Sequence, residues 1–358
     1  MKQSASVAII GGGIIGASIA YNLAMHGVKD VVILDKSKAG AGSTSASLGG
    51  FRYQFSTELS VRLSQRSVGI IEKFKDLMGY DPLARRDGYV FIASRPSSFE
   101  RLKKDRDVQR RLGVPVSLLS QEELQERYPF YRFDGILGGT FCREDGHAST
   151  MAVFQGYISR AKQLGAELYE DTEVTAIEGR NPKGFSLRTS KGSLAADSVV
   201  IAAGAYSGLV GKLASADIPI KPYPRKILIF GREGKGLILA NKQETQSSFD
   251  LAFPPDYDEK VMQVAIQRVP ATEHCSLSYA NVGLYEMTPD SNPIVCEMPG
   301  IEGLYCCSGF AGHGFMHSPA IGELMAELIT KGKTSLDISA YHMGRFRKEL
   351  AEKESLIV

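Results

Sequence analysis

The residues of this chain best suited to chemistry are three glycines and one acid near its N-terminus. Val7–Ile10 is an apolar run typical of a buried strand, and a G-x-G-x-x-G pattern at Gly11, Gly13 and Gly16 follows it directly. Gly11 permits a tight turn, Gly13 lets the backbone approach a pyrophosphate, and Gly16 lets helix and strand pack closely. Asp35 ends a second apolar run, 19 residues after Gly16, where its carboxylate would accept hydrogen bonds from a ribose. This order predicts a bound adenine dinucleotide.

The helix that follows the glycines supplies the second part of this site. We expect this helix at Ala17–His26, and Ile14 and Ile15 just before it are expected to contact the cofactor. The first N–H groups of a helix have no partner within it, and a helix N-terminus carries a partial positive charge. Both properties favour binding of a diphosphate. After Asp35 comes a run of small residues, which builds no core but can pass close under a large flat ligand. The contacts expected from this run are Lys36, Gly42, Ser43, Thr44, Gly49 and Gly50.

A second glycine-rich helix start, Gly309–Phe315, lies much later in the chain. Two separated glycine-lined contacts suit a long extended cofactor, so FAD is favoured over NAD, whose domains usually continue at once with a second mononucleotide-binding half. The later helix N-terminus would lie by the isoalloxazine and stabilise the negative charge of the reduced flavin. The contacts predicted from this part and from the middle of the chain are Gly309, Gly312, His313, Gly314, Phe315, Met316, Val174, Ala203 and Gly204.

Composition argues against several other classes of function. The net charge is +2 with 23% charged residues, so no electrostatic feature predicts nucleic-acid binding. The basic cluster between Arg101 and Arg111 is interleaved with acids, which is typical of a solvated helix face. The five cysteines form no C-x-x-C pair and no zinc spacing, which predicts no metal site and a reducing, cytoplasmic setting. No uninterrupted apolar run is long enough to span a membrane.

Apolar periodicity predicts the remaining elements. Helices are expected at Thr57–Met78, 97–112, 120–127, 149–164 and Ser318–Thr330. Strands are expected at Gly88–Ala93, Ala166–Tyr169, Glu173–Ile177, Phe185–Thr189, Gly192–Ala196, Asp197–Ala205 and Gly303–Cys307. A sheet that starts at residue 7 and is completed after residue 300 makes the nucleotide-binding domain discontinuous. We expect this domain to comprise residues 1–80, 140–220 and 283–358, and a substrate domain to comprise residues 81–139 and 221–282.

Five blocks of the chain resemble the D-amino-acid oxidase family of flavoproteins, in particular its sarcosine oxidase, glycine oxidase and L-proline dehydrogenase β-subunit branch. The blocks are Val7–Asp35, Ala39–Phe55, Val199–Ser207, Gly283–Pro293 and Gly303–Glu327. Gly283–Asp290 is similar to the strand and turn beside the flavin in that branch, and Gly309–Phe315 to its G-F-[SA]-G-H-G-F signature. Arg52–Phe55, followed by a long helix, resembles the β subunit of archaeal dye-linked proline dehydrogenases.

The resemblance implies a fold class. It is α/β (α+β), with a Rossmann-like FAD-binding domain of the glutathione-reductase type and a smaller antiparallel-sheet substrate domain.

Three departures from the family pattern matter. The cysteine that carries the flavin covalently in monomeric sarcosine oxidases has Gly283 at the similar position here, and the loop Ser43–Gly49 lacks the histidine of dimethylglycine-type relatives. Non-covalent FAD is therefore expected. Met316 stands where monomeric sarcosine oxidases have a lysine, so one expected carboxylate partner is missing. The stretch Phe230–Leu239 is shorter than in relatives, which use this region to roof the substrate pocket; either the roof is reduced or part of the chain is absent.

The resemblance also implies a reaction, the oxidation of a small amino acid of the sarcosine, proline or glycine type at its C–N bond. Hydride would pass to flavin N5 and leave an imine. Arg52 is the candidate that clamps the substrate carboxylate, with a surface salt bridge as the alternative role. Tyr285 is expected either to line the substrate face or to pack in the core. His313 is expected at the flavin edge or bonded to backbone at the helix start, and Asp290 as a cap of its turn.

The replacement of lysine by Met316, and the resemblance to a multi-subunit dehydrogenase, favour a dehydrogenase over an oxidase. Partner subunits for electron transfer and a homo- or hetero-oligomer are expected with it. Two alternatives remain open at this point. One is a flavin-binding electron-relay or assembly subunit without substrate turnover of its own, and the other is an NAD-dependent dehydrogenase.

Overall fold

The structure, a computed structural model, describes residues 1–179, 183–232, 235–240, 246–347, 354 and 356. The helices, numbered in chain order, are α1 (Ile14–Met25), α2 (Glu58–Glu72), α3 (Phe74–Met78), α4 (Pro96–Arg111), α5 (Gln121–Arg127), α6 (Thr150–Gln163), α7 (Ser207–Leu213), α8 (Tyr257–Arg268) and α9 (Gly314–Lys331). The strands are β1 (Ser4–Ile10), β2 (Val31–Leu34), β3 (Gly50–Phe51), β4 (Tyr89–Ala93), β5 (Ser117–Leu119), β6 (Gly138–Cys142), β7 (Gly146–His147), β8 (Glu167–Tyr169), β9 (Val174–Gly179), β10 (Phe185–Thr189), β11 (Gly192–Ile201), β12 (Lys221–Arg232), β13 (Lys235–Ala240), β14 (Ser276–Met287), β15 (Ile294–Glu297) and β16 (Leu304–Ser308).

The largest sheet has the strand order β15-β16-β11-β1-β2-β8. Strands β16, β11, β1, β2 and β8 pair in parallel, and β15 pairs antiparallel with β16. Every residue of β2 is buried, as is normal for a parallel strand covered on both faces. Because β16 lies beside β11, the sheet is completed by residues far from the N-terminal strand. This is the mixed α/β architecture that the sequence predicted.

Four boundaries differ from the expected ones. The first helix, α1, begins at Ile14 rather than Ala17. The two strands expected at 192–196 and 197–205 form one strand, β11, which pairs antiparallel with β10 and then parallel with β1, since no turn residue separates the two halves. The helix expected at Thr57–Met78 is divided at Lys73, which leaves helical geometry with a ψ of 5° and ends α2 before α3 begins. The last helix, α9, begins at Gly314 rather than Ser318, so it starts inside the second glycine-rich segment.

Two further antiparallel sheets lie outside the large one, with the orders β13-β12-β14 and β4-β6-β5. β12 and β14 pair along most of their length, from Lys221 opposite Met287 to Gly231 opposite Ser276. The short pair β3 and β7 joins the loop after β2 to the residues after β6. In the stretch expected to be shortened, Phe230–Arg232 pairs with Lys235–Leu237 at the end of the β12–β13 pairing, and residues 233–234 and 241–245 lie outside the described residues.

The turn between β1 and α1 depends on contacts that only glycine permits. Gly11 has a φ of +116°, and a side-chain carbon built on it would lie 2.2 Å from the backbone oxygen of Ala202, at the end of β11. A carbon built on Gly16 would lie 2.0 Å from the backbone oxygen of Gly11. The turn after β1, the start of α1 and the end of β11 therefore meet backbone to backbone.

The charged helix α4 is less solvated than its sequence indicated. Asp105 is only 8% exposed, and its Oδ2 has no hydrogen-bond partner among the described residues. Gln109, on the same face, is buried and donates to the backbone oxygen of Phe55 at 2.7 Å. Burial raises the pKa of Asp105 to about 6, and the negative charge of Glu354 adds to the effect. One face of this helix therefore packs inward and carries a poorly solvated carboxyl group.

None of the described helices is long and apolar enough to cross a bilayer. The five cysteines are free thiols, and Cys306 and Cys307 are both buried. Within the described ranges, no cluster of three or more histidine, cysteine or acidic side chains is arranged to hold a metal.

We predict that Gly16→Ala destabilises the protein by about 1–3 kcal/mol, because the new methyl group meets a backbone oxygen that cannot move away easily. The matched control is Gly69→Ala in α2, where a side-chain carbon would meet nothing within 4 Å. That change should stabilise by roughly 0.5–1 kcal/mol, since alanine favours a helix over glycine. Urea unfolding of the three proteins measures both effects, and equal stability of Gly16→Ala and wild type would contradict the packing described for this turn.

A second prediction concerns pH. Because the folded-state pKa of Asp105, about 6, is above its ordinary value of 3.8, the folded protein binds more protons there than the unfolded chain does between these values. The stability from the protonated group is present below about pH 4 and is lost as the pH rises through 6. Asp105→Asn should therefore match wild type near pH 4 and exceed its free energy of unfolding by about 1–2 kcal/mol above pH 7. Asp107→Asn, which removes an exposed carboxylate of the same helix, is the control. A constant difference across this pH range would show that Asp105 is not the source.

Candidate active site

The N-terminus of α1 is open to an anion. Gly13 is its N-cap residue and makes no side-chain capping bond, and the first turn contains no acid. The N–H of Ile14 donates to Thr44 Oγ1 at 3.0 Å, which brings the loop after β2 onto the helix end. An uncapped helix N-terminus with a hydroxyl beside it is a site for phosphate oxygens.

Asp35 lies beside this helix end, at the end of β2. Its Oδ2 accepts from the N–H of Gly12 at 2.7 Å, and its Oδ1 accepts from the N–H of Ser37 at 2.8 Å and from Ser37 Oγ at 3.1 Å. A carboxylate has about four acceptor positions, so capacity remains for a further donor. The next residue, Lys36, places its ammonium group 3.1 Å from the ring centroid of Tyr206, which follows β11.

The loop of small residues links the first glycine turn to β14. The N–H of Gly40 donates to the oxygen of Gly12 at 3.0 Å, and Ser43 Oγ donates to the oxygen of Leu284 at 2.7 Å. A side-chain carbon built on Gly283 would lie 2.8 Å from the Ala46 methyl group. Any larger residue at position 283 would therefore push against this loop.

The second glycine turn is held by a carboxyl group. The N–H of Gly309 donates to Glu286 Oε2 at 3.0 Å, and the same oxygen lies 3.6 Å from a side-chain carbon built on Gly204, which follows β11. Burial raises the pKa of Glu286 to about 7, although the N–H groups of Gly309 and Phe310 oppose the shift. Glu286 thus joins the end of β11, β14 and the turn before α9.

Tyr285 of β14 packs against this turn, and His313 is part of it. A side-chain carbon built on Gly312 would lie 2.4 Å from the ring of Tyr285, so the ring covers this glycine directly. His313 is the N-cap residue of α9 but makes no side-chain capping bond. It is 2% exposed, and neither of its ring nitrogens has a hydrogen-bond partner within the described residues. Burial, with His317 and Arg52 acting in the same direction, lowers the pKa of His313 well below its ordinary value.

Arg52 is a buried cation, with 2% of its surface exposed. Its Nη1 and Nη2 donate to the backbone oxygens of Gln54 and Leu356, and its Nε has no partner in the described part of the chain. The guanidinium carbon lies 4.1 Å from the ring centroid of Phe55. Among the described residues Arg52 forms no ion pair, and burial lowers its pKa, while Glu354 and Asp145 oppose that shift from a distance. A buried charge without a counter-ion is costly unless a ligand supplies one.

Three further side chains near Arg52 carried no recognised sequence signal. Tyr89 places its hydroxyl 2.1 Å from a side-chain carbon built on Gly50, so it lies against the small-residue loop. Asp145 is fully buried and accepts from the N–H of Tyr53 at 2.7 Å and from Gln54 Nε2 at 2.8 Å. Burial raises the pKa of Asp145 to about 6. No motif surrounds either residue, so only the fold reveals them.

His317 is the third of these side chains. Its Nε2 lies 3.0 Å from Ser64 Oγ, and its ring centroid lies 4.9 Å from that of Phe55. Burial lowers its pKa to about 3. Two adjacent histidines beside Arg52 are therefore both neutral near pH 7.

The structure gathers the residues predicted from sequence into two groups. The first surrounds the α1 N-terminus and the loop that follows β2, and consists of Gly11, Gly13, Ile14, Ile15, Gly16, Asp35, Lys36, Gly42, Ser43 and Thr44. The second surrounds the α9 N-terminus and Arg52, and consists of Gly49, Gly50, Arg52, Tyr285, Gly309, Gly312, His313, Gly314, Phe315 and Met316. Ala203 and Gly204 lie between the two groups, at the end of β11.

Val174 and Asp290 lie outside these two groups. Val174 begins β9, and its side chain belongs to the core cluster that contains Ile10 and Leu34. Asp290 caps its turn by accepting from the N–H of Asn292 at 3.1 Å, and it also pairs with Arg345 at 2.7 Å. The side chain of Asp290 is therefore committed to the turn.

Known proteins match this chain over most of its length. A family model described as DAO, FAD dependent oxidoreductase, matches residues 6–246 and 225–328. Glycine oxidase of Geobacillus kaustophilus is 27% identical over 371 residues, which cover 96% of this chain and 98% of that protein. The crystal structure of L-proline dehydrogenase from P. horikoshii has a TM-score of 0.91 and 29% sequence identity, and the match covers 98% of this chain and 100% of that one.

Human mitochondrial dimethylglycine dehydrogenase is a longer relative. It is 24% identical over 389 residues, which cover 97% of this chain but only 45% of that protein. This chain therefore spans less than half the length of some relatives and nearly the full length of others. The family match includes both glycine-rich helix starts. The chain belongs to the DAO family of FAD-dependent oxidoreductases.

Proposed function

We propose that this protein binds FAD non-covalently and oxidises the C–N bond of a small primary or secondary amino acid whose carboxylate is held by Arg52. The observation that carries the proposal is the buried guanidinium group, which has no acidic partner among the described residues and an unpaired Nε. A carboxylate is the ligand that best matches such a group, because it binds guanidinium with two parallel hydrogen bonds.

The residues present fit FAD. Gly11 and Gly16 keep the first turn free of side chains, and the open α1 N-terminus would hold the diphosphate. Asp35 has acceptor capacity left for the ribose. The buried, unpaired ring nitrogens of His313 fit a polar group placed against the α9 N-terminus. When bound, FAD supplies the hydride acceptor.

The non-covalent state is supported by the loop around Ala46. Gly283 lies against that methyl group, and no cysteine or histidine occurs at 43–49. The cysteine and the histidine that bind the flavin covalently in relatives have no counterpart at these positions.

The protein's own residues bind, orient and dehydrate the substrate. Arg52 would fix the carboxylate, and the rings of Phe55, Tyr89 and Tyr285, which lie near it, would exclude water from the reacting carbon. The depressed pKa of His313 keeps its imidazole neutral, so it adds no second positive charge beside Arg52. The substrate amine would enter in its neutral form, which requires no dedicated base.

The substrate class and the electron acceptor are proposed from the relatives. The matched proteins are named for glycine, dimethylglycine and L-proline, all small amino acids whose carboxylate is attached to the carbon that bears the amine nitrogen. The similarity to L-proline dehydrogenase, together with Met316 in place of a lysine, supports a dehydrogenase that passes electrons to a partner subunit. Residues 1–80, 140–220 and 283–358 would carry FAD, and residues 81–139 and 221–282 the substrate side.

A second candidate function is a flavin-binding electron-relay or assembly subunit without turnover. It is favoured by the contacts of Arg52, whose Nη1 and Nη2 already donate to backbone oxygens. In that case the cation would stabilise the fold rather than a substrate.

The test is anaerobic reduction of the purified FAD-loaded protein. Proline, sarcosine, glycine and D-alanine are added separately, and each is matched with the amine that lacks its carboxylate, for example pyrrolidine for proline. We expect at least one amino acid to bleach the visible flavin absorption far faster than its matched amine. Absence of bleaching by every amino acid would favour the relay subunit. Rapid peroxide formation in air would contradict the dehydrogenase assignment.

We predict that Arg52→Lys weakens capture of the best amino acid by roughly 1–2 kcal/mol, because lysine keeps the charge but loses the bidentate geometry. Arg52→Met should cost on the order of 3 kcal/mol, because it leaves the carboxylate unpaired in a dry site. Substrate concentration dependence of flavin reduction measures both. If the matched amine loses as much as the amino acid in each variant, Arg52 serves the cofactor or the fold instead.

A further inference from the structure

Glu354 reaches the active-site loop from the end of the described chain. Its N–H donates to the oxygen of Asp290 at 3.1 Å, and its side chain is fully buried. Its carboxylate accepts from Ser56 Oγ at 2.6 Å, from the N–H of Ser56 at 3.2 Å and from the N–H of Leu356 at 3.0 Å. Glu354 therefore fixes Leu356 relative to the residues that follow Arg52. We call Glu354 and Leu356 together the strap.

Leu356 anchors the strap on the other side. Its side chain is 8% exposed and packs in a cluster with Ala93 of β4 and Leu102 of α4. Its backbone oxygen accepts from Arg52 Nη2. The strap thus contacts the turn before β15, the loop after β3 and the β4–α4 region at once.

These contacts fix the guanidinium plane. Nη1 is held by the oxygen of Gln54 and Nη2 by that of Leu356, so the described partners leave the Nε–H without an acceptor. An edge formed by Nε–H and one Nη–H is a standard bidentate surface for a carboxylate. Both fixed partners are neutral carbonyl groups. They orient the cation but do not cancel its charge, as an acid in the same place would.

Asp145 is an acid near Arg52, but unlike the two carbonyl groups it does not accept a hydrogen bond from Arg52 among the described residues. Its two oxygens accept from the N–H of Tyr53 and from Gln54 Nε2, so it supports the loop around Arg52 and makes no ion pair with Arg52 among the described residues. The charge of Arg52 is thereby kept for another anion.

We propose that the strap is a positioning element for Arg52, which aligns the guanidinium edge for the substrate carboxylate. The inference rests on the proposed function, since it assigns Arg52 to that carboxylate. Neither strap residue touches the reacting atoms. Loss of the strap should reduce carboxylate affinity while the limiting rate of flavin reduction is retained.

The test uses Glu354→Ala, which removes the acceptor for Ser56 and for the N–H of Leu356. We expect the substrate concentration for half-maximal reduction to rise about tenfold, with an unchanged limiting rate, FAD affinity and reduction by the matched amine. Glu354→Gln keeps an oxygen at the same place and should restore near wild-type affinity. Leu356→Ala, which loosens the other anchor, should shift affinity in the same direction as Glu354→Ala. Glu302→Ala, which removes an exposed glutamate paired with Lys183, is the matched control.

A double-mutant cycle separates positioning from general destabilisation. In the Arg52→Met background, Glu354→Ala should have no further effect on affinity for the amino acid, because there is no guanidinium left to align. Equal effects of Glu354→Ala with and without Arg52 would overturn the proposal. So would an equal loss of affinity for the amino acid and its matched amine.

Acetate distinguishes failure of this inference from failure of the proposed function. It is titrated as a simple carboxylate into the FAD-loaded proteins, and binding is read from the change in flavin absorption. If no amino acid reduces the flavin, but acetate binding is weakened by Glu354→Ala and lost in Arg52→Met, the catalytic proposal fails and the strap stands. If acetate binds wild type and Glu354→Ala equally, or does not bind wild type, the strap has no positioning role.

Discussion

A positive charge buried without an ion pair among the described residues is the constraint on which the rest of the site depends. The guanidinium of Arg52 is stabilised by two backbone oxygens and by the ring of Phe55 rather than by a carboxylate. His313 and His317, which lie close to it, are buried and neutral, so neither adds a positive charge beside it. The two backbone oxygens and the ring lower the free-energy cost of burying the guanidinium group, and they do not neutralise its charge.

The two uncapped helix ends are held in a fixed relation by contact between the helices themselves. Ser18 Oγ in α1 donates to the oxygen of Ser318 in α9 at 2.8 Å, and a side-chain carbon built on Gly322 would lie 2.0 Å from that hydroxyl. Small residues thus let α1 and α9 approach closely. Because both helices begin at a glycine-rich turn, the diphosphate end and the flavin end of a bound FAD would be set by one rigid helix pair.

The local parts of this structure could be predicted, and the parts that depend on distant contacts could not. The spacing of Gly11 and Gly16 is a local signal, and it correctly indicated the first turn and the α/β fold. The sequence predicts two strands where β11 is one, because its two halves pair with different partners. The sequence predicts a solvated helix face around Asp105, because helix periodicity does not show what packs on the helix. Leu356 acts through its backbone oxygen, a group that every residue has, so its residue type does not indicate this role.

The position of β16 has a consequence for how the chain acquires its fold. β11 pairs with β1 on one side and with β16 on the other, and β16 is formed by residues 304–308. During synthesis, the first nucleotide-binding unit emerges long before the strand that completes its sheet, and the edge of β11 stays open in the interval. Such a high contact order is associated with slow folding and with exposure of unpaired strand edges. The second glycine turn follows β16 in the chain, so the flavin end of the FAD site is made long after the diphosphate end.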